Sequence, residues 1–397
     1  RNSISPFKAG VSKPVEMLGR LGPIPPTARS LSIDILRGLA LFGILLVNML
    51  DFAGPTLRAV PMTVWESPVD QMAEWFVRVF VEGAFAPIFA CLLGVGIAIQ
   101  LRTKENRRPM LFRRYAWLVP IGLVHALCLW RGDILLVYAF AALALLAFAL
   151  RTTRFLFRFV TVLFLVLTTF FLFLVLSVGD PVGANFTVVL ELVQLYSSGT
   201  YFDLLSARFP ELMEGLIFLP VVFGWIIIGL LLGRFGFLEV PVLHLPRLRQ
   251  LVLILLPAAI LFKALYGFLL LDWTVGLGLF FTYGFAGPLL GASYMFVFML
   301  VLASPGAEDR FVPLAAVGRM ALSNYLAQTL IAVTIFHGYG LGFYGKIGPA
   351  LGLLITLVIF ALQIVISIWW LRRFYFGPVE WLWRSLSYRR PQPFFKG

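Results

Sequence analysis

One histidine and one aspartate lie eight residues apart in the segment GLVHALCLWRGDILLVYA, residues 122–139. A short turn joins two apolar runs here, so we expect antiparallel neighbouring helices, with His125 about 6 Å from the end of the first one. An imidazole beside a carboxylate is the minimal general base, because the carboxylate fixes the tautomer and stabilises the imidazolium. The spacing therefore predicts a candidate catalytic pair, His125 and Asp133.

The same residues also allow a structural interpretation. His125 could form a hydrogen bond between helices, and Asp133 could cap the N-terminus of the helix that follows it. Arg131, in the turn between them, is a candidate substrate-binding residue, but it could equally form an ion pair with Asp133. The sequence leaves these alternatives open.

A second cluster lies in DILRGLALFGILLVN, residues 34–48. Asp34 and Arg37 are three residues apart on one helix face, where they could form a local ion pair. Arg37 could instead bind a phosphate-bearing substrate at the cytoplasmic mouth of the bundle. Asn48 lies near the other end of the helix, about 16 Å from Arg37. Arg37 and Asn48 are therefore candidate substrate-binding residues.

A third cluster lies in GRMALSNYLAQTLIAVTIFHGYG, residues 318–340. Asn324 and Gln328 are four residues apart, and polar side chains cannot face lipid cheaply, so both are expected to face the bundle interior. They could be hydrogen-bonding contacts between helices, or they could line a substrate path that begins at Arg319. All three are retained as candidate binding residues.

Aromatic and basic residues alternate in the closing segment WWLRRFYFGPVEWLWRSLSYRRPQP, residues 369–393. This composition is typical of a membrane interface. Gly377 and Pro378 break the helix, so the residues after them are expected to lie along the membrane. Anchoring is one interpretation, and contact of Arg384 with a cytosolic anionic cosubstrate is the other.

The elements that position these residues follow from the composition of the 397-residue chain. It is 60% hydrophobic and 13% charged, with a mean hydropathy of +0.94, whereas soluble domains carry about 25% charged residues. This excludes a soluble enzyme, a disordered chain and a secreted disulfide scaffold. Cys91 and Cys128 both lie in apolar runs and are expected to be small buried hydrophobes, so no metal centre is predicted.

Continuous apolar runs, rather than alternating ones, predict an all-α integral membrane protein of about ten transmembrane helices. The lipid bilayer is thus the first predicted partner. The runs are residues 35–50, 74–101, 113–130, 133–150, 155–178, 212–234, 250–271, 278–303, 318–337 and 349–373.

The basic residues predict the orientation of these spans. When the chain is threaded from a cytoplasmic N-terminus, 26 of the 32 Lys and Arg residues fall on the inner side, as the positive-inside rule requires. Both termini are then cytoplasmic. The predicted parts are a tail at 1–34, a transmembrane domain at 35–375 with an outer cap near 179–210, and an interfacial tail at 376–397. This distribution explains the net charge of +13 without a nucleic-acid partner.

Five motifs, in the same order, resemble those of the YeiB family of bacterial membrane proteins, which is domain of unknown function 418. The similarity covers most of the chain, from about residue 31 to 391. The motifs are DILRGLALFGILLVN, FAPIFACLLGVGIA, RRYAWLVPIGLVHALCLWRGDILLVYA, GRMALSNYLAQTLIAVTIF and FGPVEWLWRSLSY.

That family is more distantly similar to the transmembrane acyltransferase superfamily, which includes heparan-α-glucosaminide N-acetyltransferase. Members pass an acyl group from cytosolic acyl-coenzyme A to an acceptor across the membrane, using an essential histidine. In relatives of the heparan enzyme this histidine follows the first span, but residues 51–82 of this chain contain no histidine. His125 would have to supply that role from another helix.

The resemblance implies an acyltransferase of the bacterial cytoplasmic (inner) membrane, with acyl-coenzyme A as cosubstrate and no covalently bound cofactor. Its phosphates would lie near Arg37 and Arg319. His125, oriented by Asp133, would activate an acceptor or carry the acyl group, and Asn48 and Asn324 would position the reacting groups. The acceptor would be an extracytoplasmic glycan or lipid.

Two other classes of function fit the same sequence. One is a transporter or flippase of a small amphiphile, and the other is a non-catalytic subunit of a larger membrane complex. Coenzyme A bound to the purified protein would favour the acyltransferase over both. A homo-oligomer or a membrane-complex partner stays possible in each case.

The predicted topology is tested by reporter fusions. A reporter fused after Ser304 or at the C-terminus should be active only in the cytoplasm, because the basic residues flank these points. A reporter fused near Tyr201 should be active only outside. An external signal at the C-terminus would contradict the ten-span arrangement.

Overall fold

The computed structural model describes residues 30–55, 65–102, 107–178, 186–269 and 281–396. Within these ranges the chain is all helical, and the pairing of Phe374 with Phe395 is an isolated bridge rather than a strand. The described α-helices, in chain order, are α1 (Leu31–Ala53), α2 (Pro68–Phe80), α3 (Phe85–Leu101), α4 (Arg108–Val124), α5 (Leu135–Phe148), α6 (Thr153–Val178), α7 (Phe186–Ser198), α8 (Tyr201–Leu216), α9 (Leu219–Arg234), α10 (Leu245–Leu269), α11 (Gly287–Leu302), α12 (Ala307–Arg310), α13 (Val312–Arg319), α14 (Ala321–Phe336), α15 (Pro349–Arg373) and α16 (Pro378–Tyr388).

The predicted all-helical membrane fold is confirmed in its coarse form. Among the described residues, six helical segments are long and apolar enough to cross a membrane, and the helices Leu135–Phe148, Leu219–Arg234 and Ala321–Phe336 are apolar but shorter. The count of ten spans and the side of the termini stay predictions. The six segments are Leu31–Ala53, Pro68–Leu101, Thr153–Phe173, Pro241–Gly267, Gly284–Leu302 and Pro349–Arg373.

Helix α1 is central in the bundle, and α6 is peripheral. In the most apolar stretch of each helix, 67% of α1 is buried inside the protein, but only 11% of α6. The exposed face of α6 carries large apolar side chains such as Phe157 and Leu165. An apolar surface of this kind is stable in a lipid environment and would be costly in water.

Helix α2 is amphipathic, but its apolar face is exposed and its charged face is buried, which is the reverse of a helix on a soluble protein. Its apolar side chains, including Met72 and Phe76, are exposed, whereas Glu74 and Arg78 are 1% exposed. The Arg78 Nε atom donates to Glu74 Oε1 at 2.8 Å. Pairing inside the protein satisfies both charges, and the outward apolar face suits lipid.

The predicted span 74–101 falls within the candidate membrane span Pro68–Leu101, which a turn between α2 and α3 interrupts. Gly83 adopts the left-handed conformation there, with φ of 76°. The Lys263 ammonium of α10 donates to the carbonyl of Arg78 at 3.2 Å and to that of Glu82 at 2.9 Å. A cation bonded to carbonyls at the end of α2 and in the turn after it offsets the cost of ending a helix inside the protein.

Helices α1 and α13 cross with their backbones in contact. A Cβ atom on Gly38 would meet the carbonyl oxygen of Leu314, and one on Gly318 would meet that of Asp34. Small residues allow such close approach of membrane helices. The crossing brings Arg37, at the start of α1, near Arg319, at the end of α13, although 282 residues separate them in the chain.

Helices α3 and α9 pack against each other in the same way. A Cβ atom on Gly94 would meet the carbonyl oxygen of Ile226, and one on Gly229 would meet that of Cys91. Neither carbonyl can move without shifting its helix. This contact fixes the position of α3, which forms one wall of the cavity described below.

Replacing Gly229 with alanine is therefore expected to destabilise the protein. The added methyl group must push α9 away from α3, and overpacking of this kind costs about 1–3 kcal/mol. Thermal unfolding in detergent should show a melting temperature lowered by several degrees. Gly215→Ala in α8 is the matched control, because a Cβ atom there meets nothing within 4 Å. Equal melting temperatures for the two variants would contradict the packing account.

Candidate functional site

His125 is held by hydrogen bonds at both ring nitrogens. Nδ1 lies 2.8 Å from Asp133 Oδ1, and Nε2 lies 2.9 Å from the hydroxyl oxygen of Thr329. His125 and Thr329 are 1% exposed. Hydrogen bonds thus connect three side chains in a buried row: Asp133 just before α5, His125 just after α4, and Thr329 in α14.

The local backbone explains how His125 reaches this position. Pro120 lies inside α4 and has no N–H group, and the helix changes at His125–Leu129 into a π-helical turn. The Trp130 N–H closes that turn by donating to the carbonyl of His125 at 2.9 Å. Single π-helical turns of this kind are frequent at functional sites.

Asp133 has both roles that the sequence left open. Its carboxylate accepts from the backbone N–H groups of Leu135 at 3.1 Å and Leu136 at 2.7 Å, so it caps the start of α5. It is also the partner of His125 Nδ1. Because an ionised carboxylate only accepts, the hydrogen of a neutral His125 belongs on Nδ1, and Nε2 then accepts from the Thr329 hydroxyl.

The resulting order, carboxylate, imidazole, hydroxyl, is that of an activated nucleophile or a general base. Thr329 was missed in the sequence analysis, although it follows Gln328 directly and lies on the same helix as Asn324. The signal that could have found it is the polar side chain at position 329, one turn after Tyr325. Within a span, a threonine at that spacing can face the histidine of a neighbouring helix.

Tyr325 separates this buried chain from the centre of the protein. Its ring lies 5.0 Å from the His125 ring, measured between centroids. Its hydroxyl lies 3.4 Å from the backbone nitrogen of Ile134, in the turn that carries Asp133. Tyr325 also lines a large internal cavity. It is thus the wall between that cavity and His125.

The cavity has a volume of about 210 Å³ and two chemically different ends. Along α1 its lining runs from Ile33 to Ile44, which corresponds to about 16 Å of helix. Arginines cluster at one end, Tyr138 and Tyr325 lie at the other, and the wall between the two ends is apolar. The residues that define these parts are Arg37, Arg114, Arg319 and Arg384 at the basic end, Tyr138 and Tyr325 at the far end, and Leu41, Phe89, Leu93 and Leu118 in the wall.

The arginines at the basic end are only partly satisfied by the protein. Arg37 pairs with Asp34 at 2.8 Å, so the predicted local ion pair is present, and Arg37 also lines the cavity. Arg114 donates to the Gln100 side chain at 3.3 Å and lies 4.2 Å over the Trp383 ring. In the described part of the chain, the Nε atoms of Arg114 and Arg319 are buried without a hydrogen-bond acceptor.

The nearby carboxylate of Glu380 is bound by backbone and hydroxyl donors of α14. It accepts from the backbone N–H groups of Leu322 at 2.7 Å and Ser323 at 3.0 Å, and from the Ser323 hydroxyl at 2.5 Å. Glu380 therefore caps the N-terminus of α14, where a negative charge is stabilised by the helix dipole. The basic end is left suited to an anionic ligand.

Arg131 lies in a separate polar cluster. It pairs with Asp51 and, at 3.2 Å, with Glu211, and its guanidinium lies 5.4 Å over the Tyr196 ring. The ion pair with Asp133 that the sequence allowed is therefore not formed. Arg131 lines neither the cavity nor the surroundings of His125 Nε2. It connects the turn between α4 and α5 to the end of α1 and to α7 and α8 in the predicted outer cap.

Asn324 and Gln328 contact α15 rather than the cavity. The Asn324 amide donates to Ser367 at 3.0 Å, and the Gln328 amide donates to Gln363 at 2.8 Å. These contacts match the interpretation as hydrogen bonds between helices. Asn48 is partly exposed, lies one turn beyond Ile44, and has no hydrogen bond to the described residues.

The other histidines are less suited to proton transfer. Among the described residues no carboxylate bonds His337, whose Nδ1 atom lies 3.1 Å from the Tyr339 hydroxyl oxygen in the loop after α14. His244 stacks on the Phe237 ring at 4.9 Å, beside the start of α10. In the ranges that the structure describes, no three His, Cys, Asp or Glu side chains come together as metal ligands.

Comparisons with known proteins identify relatives along nearly the whole chain. Residues 232–390 match the model of the protein family of unknown function DUF418. The chain is 31% identical to an uncharacterized 39.9 kDa protein in the amylase 3' region of Bacillus acidopullulyticus, over 94% of this chain and 98% of that protein. It is 29% identical to the uncharacterized protein YxaH of Bacillus subtilis, over 92% of this chain and 95% of that protein. It is also 29% identical to the uncharacterized protein YeiB of Escherichia coli, over 92% of this chain and 98% of that protein.

Proposed function

This chain belongs to the DUF418 family, and from its internal cavity we propose that it is a membrane acyltransferase. It would move an acyl group from a cytosolic acyl-coenzyme A-type donor to an extracytoplasmic glycan or lipid acceptor. One observation carries the proposal. A single cavity extends from Arg37 and Arg319 to Tyr325, and the Tyr325 ring packs on His125.

The basic end of the cavity supports an anionic donor. Arg114 and Arg319 each present a buried Nε–H without an acceptor among the described residues, and guanidinium groups bind phosphate through paired hydrogen bonds. Phosphates at this end would satisfy them. The apolar wall of Leu41, Phe89 and Leu93 would accommodate the arm and acyl chain of the donor, which places the thioester towards Tyr325.

Base catalysis is proposed at His125, which lies behind Tyr325 at the far end of the cavity, so the Tyr325 ring must move aside for the thioester to reach it. His125 Nε2 would take the proton of an acceptor hydroxyl as its oxygen attacks the thioester carbonyl, and the carbon–sulfur bond then breaks. The imidazolium would return that proton to the leaving thiolate. Asp133 would stabilise the imidazolium, as the carboxylate does in hydrolase triads. The acceptor must replace the Thr329 hydroxyl at Nε2, or Thr329 itself carries the acyl group between two such steps.

The proposed topology places the two substrates on opposite sides of the bacterial inner membrane. With ten spans and both termini in the cytoplasm, Arg37, Arg114, Arg319 and Arg384 face the cytosolic donor. His125 then lies towards the outer side, five residues before Trp130, with which the turn begins. Asn48, near the outer end of α1, would be a positioning donor for the acceptor.

Donor binding is the first test of this function. Arg319→Gln and Arg37→Gln should each weaken binding of coenzyme A about tenfold or more in calorimetry, because each removes a charge-assisted hydrogen bond to phosphate. Arg310→Gln is the matched control, since Arg310 is exposed and lies outside the cavity. Unchanged affinity in both cavity variants, or absence of coenzyme A binding by the parent protein, would contradict the assignment of this end.

Catalysis by His125 is the second test. His125→Ala should reduce release of free coenzyme A from acyl-coenzyme A about 10²–10⁴-fold, the usual contribution of a general base. Asp133→Asn should give a smaller loss, and His244→Ala should retain activity. Melting temperatures of all three variants separate loss of function from loss of fold.

The outcomes also separate the two possible routes. If the Thr329→Val variant keeps its transferase activity, the acyl group passes directly to the acceptor. If Thr329→Val loses that activity and Thr329→Ser keeps it, the reaction proceeds through an acyl-enzyme. Full activity of a folded His125→Ala variant would disprove the mechanism. Transport of an amphiphile that does not depend on acyl-coenzyme A would favour the alternative class of function.

A further inference from the structure

A second concave site lies at the surface of the protein, between α4 and α16. It is a groove of about 690 Å³. Arg113 and Trp117 of α4 line one side of it, and Leu386, Arg389 and Arg390 at the end of α16 line the other. The groove is open to the surroundings, and nothing in the proposed acyl transfer uses it.

Helix α4 separates this groove from the internal cavity. Arg114, the neighbour of Arg113 in the chain, lines the cavity and lies over Trp383. Arg113 lines the groove, where its Nε atom donates to the Ser387 carbonyl at 3.0 Å. Consecutive arginines thus serve two different sites, and a ligand of the groove does not compete with a ligand of the cavity.

The groove is basic at one end and apolar at the other. From Arg113 through Trp117 to Pro120 its lining follows one face of α4 over about 10 Å. Arg389 and Arg390 lie with Arg113 at the start of this face, and Leu386 adds to the apolar part. Trp117 is 42% exposed, so the apolar part opens onto the lipid-facing surface.

The residues that line the groove carry an excess of positive charge. Three arginines and no carboxylate are among its lining residues. The Arg389 side chain is exposed and has no ion pair or hydrogen bond to the described residues. The internal cavity differs, since Asp34, Glu239 and Glu380 line it together with its arginines.

The backbone holds Arg389 in an unusual conformation. Its φ of 54° makes it the single non-glycine residue with positive φ in the described ranges, a conformation that L-residues with large side chains rarely adopt. The turn is closed by the Arg390 N–H, which donates to the Ser385 carbonyl at 3.2 Å. The end of α16 is therefore built so that Arg389 and Arg390 both face the groove.

We propose that this groove binds an anionic glycerophospholipid from the membrane leaflet at which α4 begins. The lipid phosphate would lie between Arg113, Arg389 and Arg390, and an acyl chain would follow Trp117 and Pro120. Basic pockets between helices at a membrane surface bind acidic headgroups. A lipid suits the groove better than a soluble phosphate does, because the apolar part continues directly from the basic end into the hydrocarbon region.

Native mass spectrometry of the full chain in detergent tests this site. The probes are phosphatidylglycerol and phosphatidylcholine with identical acyl chains, and the parent protein should retain the first preferentially. Combined Arg113→Gln, Arg389→Gln and Arg390→Gln should weaken phosphatidylglycerol binding about tenfold or more and leave phosphatidylcholine unaffected. The matched control is Arg151→Gln, Arg154→Gln and Arg158→Gln, which removes three arginines of α6 and the loop before it, all exposed.

Each outcome decides for or against the site. Loss in the groove variant with retention in the control supports it, and Trp117→Ala should weaken the lipid without affecting inorganic phosphate. Equal loss in both triple variants would show general surface attraction and overturn the proposal. Full displacement of the lipid by inorganic phosphate, with no effect of Trp117→Ala, would overturn it in favour of a simple anion site. If the triple variant does not fold, Arg389→Gln and Trp117→Ala are scored by the same criteria.

Discussion

A polar group inside a lipid bilayer has no water to bind, so its partner must come from the protein itself. This constraint explains most of the described polar contacts. Glu74 pairs with Arg78 on the inward face of α2, and Gln328 pairs with Gln363 between α14 and α15. The hydrogen bond of His125 to Asp133 follows the same rule. The pairs Gln328–Gln363 and His125–Asp133 also join different helical segments, which could otherwise slide or rotate because apolar side chains alone specify little in lipid.

Some buried polar atoms are exceptions to this constraint, and those that line the internal cavity support the anion site proposed there. Two buried guanidinium nitrogens, those of Arg114 and Arg319, have no hydrogen-bond acceptor among the described residues. Leaving such a group unsatisfied costs about 1–3 kcal/mol, and more when it is charged. A protein keeps such a cost where a ligand supplies the missing acceptor. The position of Tyr325, between this cavity and His125, connects the proposed anion site to the proposed base.

Part of this site could be predicted from the sequence, because it depends on short-range spacing. The turn after His125 is so short that Asp133 had to lie near it, and the ion pair of Arg37 with Asp34 follows from helical periodicity. The all-helical fold follows from composition. Contacts between distant segments could not be derived in this way. Thr329 reaches His125 from α14, 204 residues later in the chain, and its spacing from Tyr325 indicates a helix face but not the partner that this face contacts.

Tertiary packing also changed the role of residues that the sequence had selected. Arg131 is engaged by Asp51 and Glu211, which lie 80 residues before and after it. Asn324 is bound by Ser367. The break between α2 and α3 depends on Lys263, and a hydropathy profile does not show it. In each case a distant partner decided between alternatives that the local sequence allowed.

Photo-crosslinking with an acyl-coenzyme A analogue that carries a diazirine on its acyl chain tests the central claim most directly. If the cavity holds the donor with its acyl group near His125, peptide mapping should find the label on the segments that contain Tyr325 or Tyr138. An excess of unlabelled coenzyme A should prevent that labelling. Labelling confined to the lipid-facing side chains of α6 and α10, unaffected by excess coenzyme A, would contradict the claim.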